Sequence, residues 1–368
     1  MAGRGVAYLP LHYGHPPEKL YRRMRELSGI VADLIAEKYG SDEFIRRISD
    51  PFWFHSLSIA TGFDWNSSGT TTTTLSALKE YFRGSTDSGI FVAGGKGEVM
   101  ASVSEDFEKQ VKRGHLRETD SIEIRRRAKE LARVDNNLLQ DGYDLYLHFI
   151  VVNDRGNWAV VQQGMNGKER MARRYHWHRD SFGDRLRDGR SGISAETAHE
   201  SVRDISALKS EENRKGMVDM MRDDPWRYRD HITQGGQTTL DNHELDARKL
   251  RLDVRVDWNR LRQIYEMQPR NFIELMDVMG AGKSAMRAIS YLSQVVYGSD
   301  PSWIDPVKFS FGLGGKDGIP KPVNYRDYDV CIEFYRELLG NLREGDSRLS
   351  AIAENLNRRY GKITGNFL

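Results

Sequence analysis

The run YDLYLHFIVV at 143–152, the segment NDRGN at 153–157 and the return WAVVQ at 158–162 decide the fold. Aromatic and β-branched residues fill both runs, and the Asn/Asp/Gly cluster between them is turn chemistry, so the stretch predicts a β-hairpin. Upstream, helical spacing dominates. Leu20, Met24, Leu27, Val31 and Leu34 recur on one face, which predicts a helix over 18–38 behind Pro16-Pro17. Gly40 and Ser41 stop it, and Asp42 is placed to cap a second helix over 43–48. Asp50-Pro51 reads as a turn before the aromatic run Phe52-Trp53-Phe54, and 75–82 as a short helix. GIFVAGGKG at 89–97 reads as a short strand ending in a glycine-rich loop, and 121–133 as a charged helix. Downstream, 210–222, 258–267, 272–278 and 283–297 read as helices, as do 328–342 and 347–359. The class is therefore α+β and mostly helical. An N-terminal region, 1–250, carries the central β-hairpin and the candidate site, and a C-terminal helical domain spans 251–368.

The charge balance narrows the function classes. Lys and Arg number 55 against 53 Asp and Glu, for a net charge of +2 over 368 residues, so the chain is no polycation. A nucleic-acid site has to come from local clustering. The one cysteine, Cys331, excludes an internal disulfide and a cysteine-based zinc site. No window approaches the roughly 18–20 apolar residues that span a bilayer, and the first residues lack the apolar run of a secretion signal. The expectation is a cytoplasmic protein with no membrane partner.

The sharpest motif is FIELMDVMGAGKSAMRAISYL at 272–292. It resembles the helix-hairpin-helix element of DNA-binding proteins. Gly280 and Gly282 would let the turn form and let a phosphate approach the backbone, and Lys283 would add charge where the second helix points its free N–H groups outward. Apolar spacing through Leu275, Val278, Met286, Ile289 and Leu292 also fits a plain αα-hairpin. Arg173, Arg174, Tyr175 and Trp177 mix charge with rings as nucleic-acid faces do. Two glycine-rich loops, 94–97 and 314–318, offer Lys96 and Lys316 for phosphate contact, but neither is a nucleotide-hydrolysing phosphate loop.

A second constellation concerns catalysis. Asp141 and Asp144 open one strand of the hairpin and Gln162 ends the other, a layout in which carboxylates hold Mg²⁺ or Mn²⁺ beside a phosphodiester. His148 alternates with Tyr146 and is expected to share its face; His176 is a further acid, base or ligand candidate. On this reading Asp144, His148, Gln162 and His176 are catalytic, and Asp141 and Asp144 bind the metal.

LPLHYGH (9–15), DPFWF (50–54), GFDWNSSGTTT (62–72), VAGGKG (92–97), QDGYDLY (140–146), VVQQGMN (160–166), ARRYHW (172–177), SEENR (210–214) and the run 301–329 together resemble the family called domain of unknown function 763, known from archaea and thermophilic bacteria. The resemblance covers nearly the whole chain and implies no activity. The family pattern carries a histidine where this chain has Asn66, a Pro-His pair where it has Gly189-Arg190, and a histidine-rich stretch near His243. The expected function is a DNA-processing or repair enzyme, a metal-dependent nuclease first. The alternatives are a metal-independent base-excision glycosylase and a non-catalytic nucleic-acid-binding protein, with RNA as well as DNA open as the partner.

Overall fold

Periodicity is read out directly in the first helices. The computed structural model describes residues 18–61, 68–84, 89–97, 103–196, 198–228 and 256–308. Helix α1 (Glu18–Tyr39) buries Met24, Val31, Ala32 and Ile35. α2 (Ser41–Ile48) starts earlier than a cap at Asp42 would place it; Gly40, at φ 90, is the N-cap residue, and Asp42 instead accepts 2.6 Å from Asn153 Nδ2. Asp50-Pro51 proves to be a helix start. Asp50 Oδ1 accepts from the N–H of Phe52 (2.7 Å) and Trp53 (3.0 Å), and Pro51 opens α3 (Pro51–Ala60) at the position where its missing N–H costs nothing. α4 (Ser68–Gly84) extends the expected 75–82 helix back through the threonine run, because Thr70, Thr71 and Thr74 are buried and packing overrides their weak helix propensity.

The hairpin is the middle of a larger sheet. After β1 (Ile90–Lys96) come α5 (Val103–Lys112), α6 (Glu118–Arg133), a π-helical turn (Val134–Leu138) and the short β2 (Leu139–Gln140). Then follow β3 (Asp144–Asn153), β4 (Trp158–Asn166), β5 (Met171–His178), β6 (Gly192–Ser194) and β7 (Arg203–Asp204). The sheet is antiparallel throughout, in the order β1-β3-β4-β5-β6, and β2 pairs separately with β7. α7 (Glu211–Arg222), α8 (Trp258–Glu266), α9 (Phe272–Asp277) and α10 (Lys283–Tyr297) complete the described chain.

Helices cover both faces of the sheet, which is why its strands read as continuous apolar runs. Ile90, Val92, Leu147, Phe149, Val151 and Val161 meet α1 to α4. Phe91, Ala93, Ile150, Val152, Trp158, Val160 and Trp177 meet α5 to α10. That second cluster includes Leu261, Leu275, Met286, Ile289 and Leu292, so the last helices share one core with the sheet. The expected division at residue 250 lies outside the described residues, as do Asn66, His243, Lys316 and the helices expected over 328–342 and 347–359.

Two expectations change here. Gly94 and Gly95 belong to β1 and form no phosphate-cradling loop. Gly94 has φ +101, and a Cβ there would stand 2.2 Å from the His148 carbonyl oxygen. The Lys79 ammonium donates to the Gly94 carbonyl (2.6 Å) while pairing with Asp106 (2.5 Å), which anchors α4 and α5 to the same strand. The arginine- and histidine-rich run at 171–178 is an inner strand, not an exposed basic face. No helix among the described residues is long and apolar enough to cross a membrane.

Candidate functional site

Strand alternation sorts the candidate residues onto opposite faces. His148 pairs in register with Gln162, and Gln162 with Tyr175, so these three share the face turned toward the π-helical turn. His148 Nδ1 lies 2.9 Å from Gln162 Oε1, an acceptor, which makes Nδ1 the protonated nitrogen. The Gln162 amide donates in turn to Asp135 Oδ2 (2.6 Å), which also accepts from Trp177 Nε1 (2.8 Å). Arg190 donates to Asp135 Oδ1 (2.6 Å) and Ser206 Oγ (3.0 Å) and lies 3.7 Å from Asp204. Burial pushes the Asp135 carboxyl up to about 6, against the pull of Arg190, and holds the His148 imidazole below its ordinary value.

A second buried knot lies nearer the mouth of the hairpin. Asp141 accepts from Tyr175 Oη (2.8 Å) and from the Tyr143 N–H (3.0 Å), and Arg173 Nη1 stands 3.4 Å away. Arg173 also grips Asp305 through both oxygens, at 3.0 and 2.6 Å, and its guanidinium lies 4.7 Å from the Tyr143 ring centre. Burial raises the Asp141 carboxyl and the Arg173 charge opposes the rise. Asp141 is therefore sealed against a metal, and Arg173 against an external phosphate. Among the described residues, no group of three or more His, Cys, Asp or Glu side chains is placed to hold a metal ion.

Asp144 is the open carboxylate, with 79 % of its side chain exposed and Lys283 Nζ 3.0 Å away. That contact brings together two stretches read separately in the sequence, since Lys283 opens α10 at the end of the glycine turn. Lys283 also donates to the Tyr143 carbonyl (2.7 Å), so its charge faces β3 rather than solvent. The turn itself is held from below: Asn137 Nδ2 donates to the Ala281 carbonyl (3.3 Å) and Gln140 Nε2 to the Lys283 carbonyl (3.1 Å). Gly280, at φ +100, is the glycine the turn requires. Gly282, at φ −78, could bear a side chain, which would meet nothing within 4 Å. Arg260 lies against Gly280, within 2.9 Å of where a Cβ would stand, and is the exposed cation beside the turn. No local pattern singles it out, because it sits on a different helix.

The opposite sheet face takes Arg174 and His176. His176 pairs with Val161, packs on Phe54 at 5.3 Å and donates from Nδ1 to the Ile48 carbonyl (3.1 Å). It does not join His148. Nor does Tyr146 share the His148 face: the register shifts between Leu145 and Leu147, and this bulge turns Tyr146 toward Gln163, whose amide donates to its hydroxyl. Lys96, at the exposed end of β1, holds its ammonium 5.6 Å from the Tyr146 ring centre. Of the four residues read as catalytic, His148 and Gln162 meet, while Asp144 and His176 stand apart from them and from each other.

These features define an α+β protein with a helix-covered antiparallel sheet, whose β3–β5 end is lined by polar residues on both faces. The chain belongs to the DUF763 family, described as a protein of unknown function, whose model matches residues 5–323. Comparison with curated proteins and with solved structures finds no match.

Proposed function

We propose that the protein binds nucleic acid, with DNA as the first candidate, and holds it at the α9–α10 turn. One observation carries this reading: Gly282 and Ser284 are exposed at the start of the 15-residue α10, with open space over Gly282 and no side-chain cap on the helix. The first N–H groups of that helix and its positive dipole end are what a backbone phosphate seeks. Arg260 supplies charge at the same turn. Such contacts position a duplex without reading its sequence.

Cleavage is the second reading, favoured by Asp144 alone, an exposed carboxylate beside the turn. It could hold Mg²⁺ or Mn²⁺ together with a substrate phosphate. Fluorescence anisotropy with labelled duplex and single strands tests binding. Affinity is expected to fall with salt at about −0.9 log unit per log unit for each phosphate neutralised. Gly282→Val is expected to weaken binding at least tenfold while costing no more than about 1 kcal/mol of stability, the usual spread between glycine and an apolar residue at a helix N-cap. Unchanged affinity in the folded variant reduces the turn to a connector. For cleavage, the same strands are incubated with Mg²⁺, Mn²⁺ or EDTA. Loss of activity in EDTA and in Asp144→Asn supports the nuclease, metal-independent base release supports a glycosylase, and binding without turnover leaves the binding protein.

A further inference from the structure

The sheet face turned toward α3 and α4 buries a cation that has no anion among the described residues. Arg174 is 0 % exposed. Its neighbour Arg173, on the other face, has two carboxylates, whereas no carboxylate among the described residues pairs with Arg174. Nη1 donates to Thr71 Oγ1 (3.2 Å), Nη2 reaches the Pro51 carbonyl only at 3.5 Å, and Nε has no hydrogen-bond partner. The Phe54 ring centre lies 4.7 Å from the guanidinium. Burial lowers its pKa to about 9, which leaves it charged at neutral pH. A buried guanidinium without a counter-charge is strongly disfavoured.

The start of a helix lies beside this cation. Thr71 accepts from Arg174 and donates to Gln163 Oε1 (2.5 Å), and the Gln163 amide donates to the Ser68 carbonyl (2.9 Å). Ser68 and Thr71 lie in the first turn of the 17-residue α4, the positive end of its dipole. Lys96 approaches over Tyr146, which hydrogen-bonds Gln163. The Nε/Nη2 edge of Arg174, which makes only the long Pro51 contact, is the edge that grips two oxygens of a phosphate side by side.

We propose that Arg174 and the N-terminal turn of α4 form a binding site for a phosphate oxyanion, either free phosphate or the phosphate of a nucleic acid. The site lies on the sheet face opposite the α9–α10 turn and does not depend on the reading of that turn. Arg174 has no exposed surface, so entry of the anion requires the α4 turn to open and close again over it.

The test uses the full chain, titrated with inorganic phosphate against sodium chloride at equal ionic strength. Thermal unfolding and amide hydrogen exchange are the readouts. The expected result is a saturable rise in Tm and at least tenfold slower exchange in residues 68–74. Arg174→Met, similar in length but uncharged, is expected to fold and to lose at least tenfold in phosphate affinity. A 5′-phosphorylated oligonucleotide forms the second arm: protection of 68–74 by it alone identifies nucleic acid as the source, and protection by inorganic phosphate alone identifies the free anion. A wild-type protein whose Tm and exchange ignore both ligands overturns the proposal, as does a folded Arg174→Met that responds like wild type. Should that variant not fold, the wild-type exchange pattern decides. Exchange protection by inorganic phosphate in residues 68–74, with residues 280–286 unchanged, separates this site from the hairpin.

Discussion

Adjacent arginines carry opposite debts at the residue scale. Arg173 is locked between Asp141 and Asp305, and Arg174 faces neutral groups. Replacing Arg173 by Met strands two buried carboxylates, a change expected to cost about 3–5 kcal/mol. The same replacement at Arg174 strands none and is expected to cost less than about 1 kcal/mol, or to stabilise. Urea unfolding of the two variants checks this, and equal losses would contradict the assignment of faces. The sequence reads both as surface cations because composition carries no information on partners that lie 132 residues away, as Asp305 does from Arg173.

At the scale of elements, α9, the turn and α10 were legible from local chemistry alone, down to the first and last residues of α10. What the local pattern could not do was separate the two glycines. Gly280 sits at φ +100 with the Arg260 side chain against it, and Gly282 sits in ordinary extended backbone. Gly280→Ala is therefore expected to destabilise the protein by about 1–2 kcal/mol, from left-handed strain plus the displaced arginine. Gly282→Ala is expected to change stability by less than about 1 kcal/mol. Thermal midpoints of the pair decide, and a reversed order would mean that the turn is read wrongly. β5 escaped notice for a related reason: its arginines and histidines read as a charged surface run and break the continuous apolar run expected of a strand covered on both faces, although every residue from 172 to 177 is buried.

For the whole molecule, buried titrating groups set a pH profile. Burial holds His148 below the ordinary histidine value and His176 well below it, with the Arg174 charge adding to the effect at His176. Unfolded histidine titrates near 6.5, so below that pH the unfolded chain binds more protons than the folded one. Their contribution is complete above about pH 6.5 and is lost as pH falls, by up to about 1.4 kcal/mol per histidine per pH unit. Asp135 acts the other way. With its carboxyl raised to about 6 by burial, the folded chain holds the extra proton, and stability from this group increases as pH falls from about 6 toward 4. Denaturant midpoints are expected to drop from pH 7 to 6 and to go on falling below 6, at a slope that Asp135 reduces but does not cancel. His148→Gln combined with His176→Gln is expected to remove most of the drop; a wild-type midpoint constant between pH 7 and 6 would contradict the burial of both rings.

The sequence by itself determined the α+β class, the β3–β4 hairpin, most of the helices and the α9–α10 turn. Each is written in spacing and turn chemistry within some 20 neighbouring residues, so the local pattern suffices to read it, while burial in the shared cores stabilises it. Tertiary structure decided which polar side chains meet around the sheet. The bulge at Tyr146 changes which side chains share a face with His148. The pairing of β5 with β4 sends Arg173 and Arg174 to opposite sides of the sheet. Asp135 and Arg190, 55 residues apart, meet only because the π-helical turn folds back over β4 and β5. A charged side chain takes whichever partner the closed fold brings to it, and low dielectric then makes that choice binding.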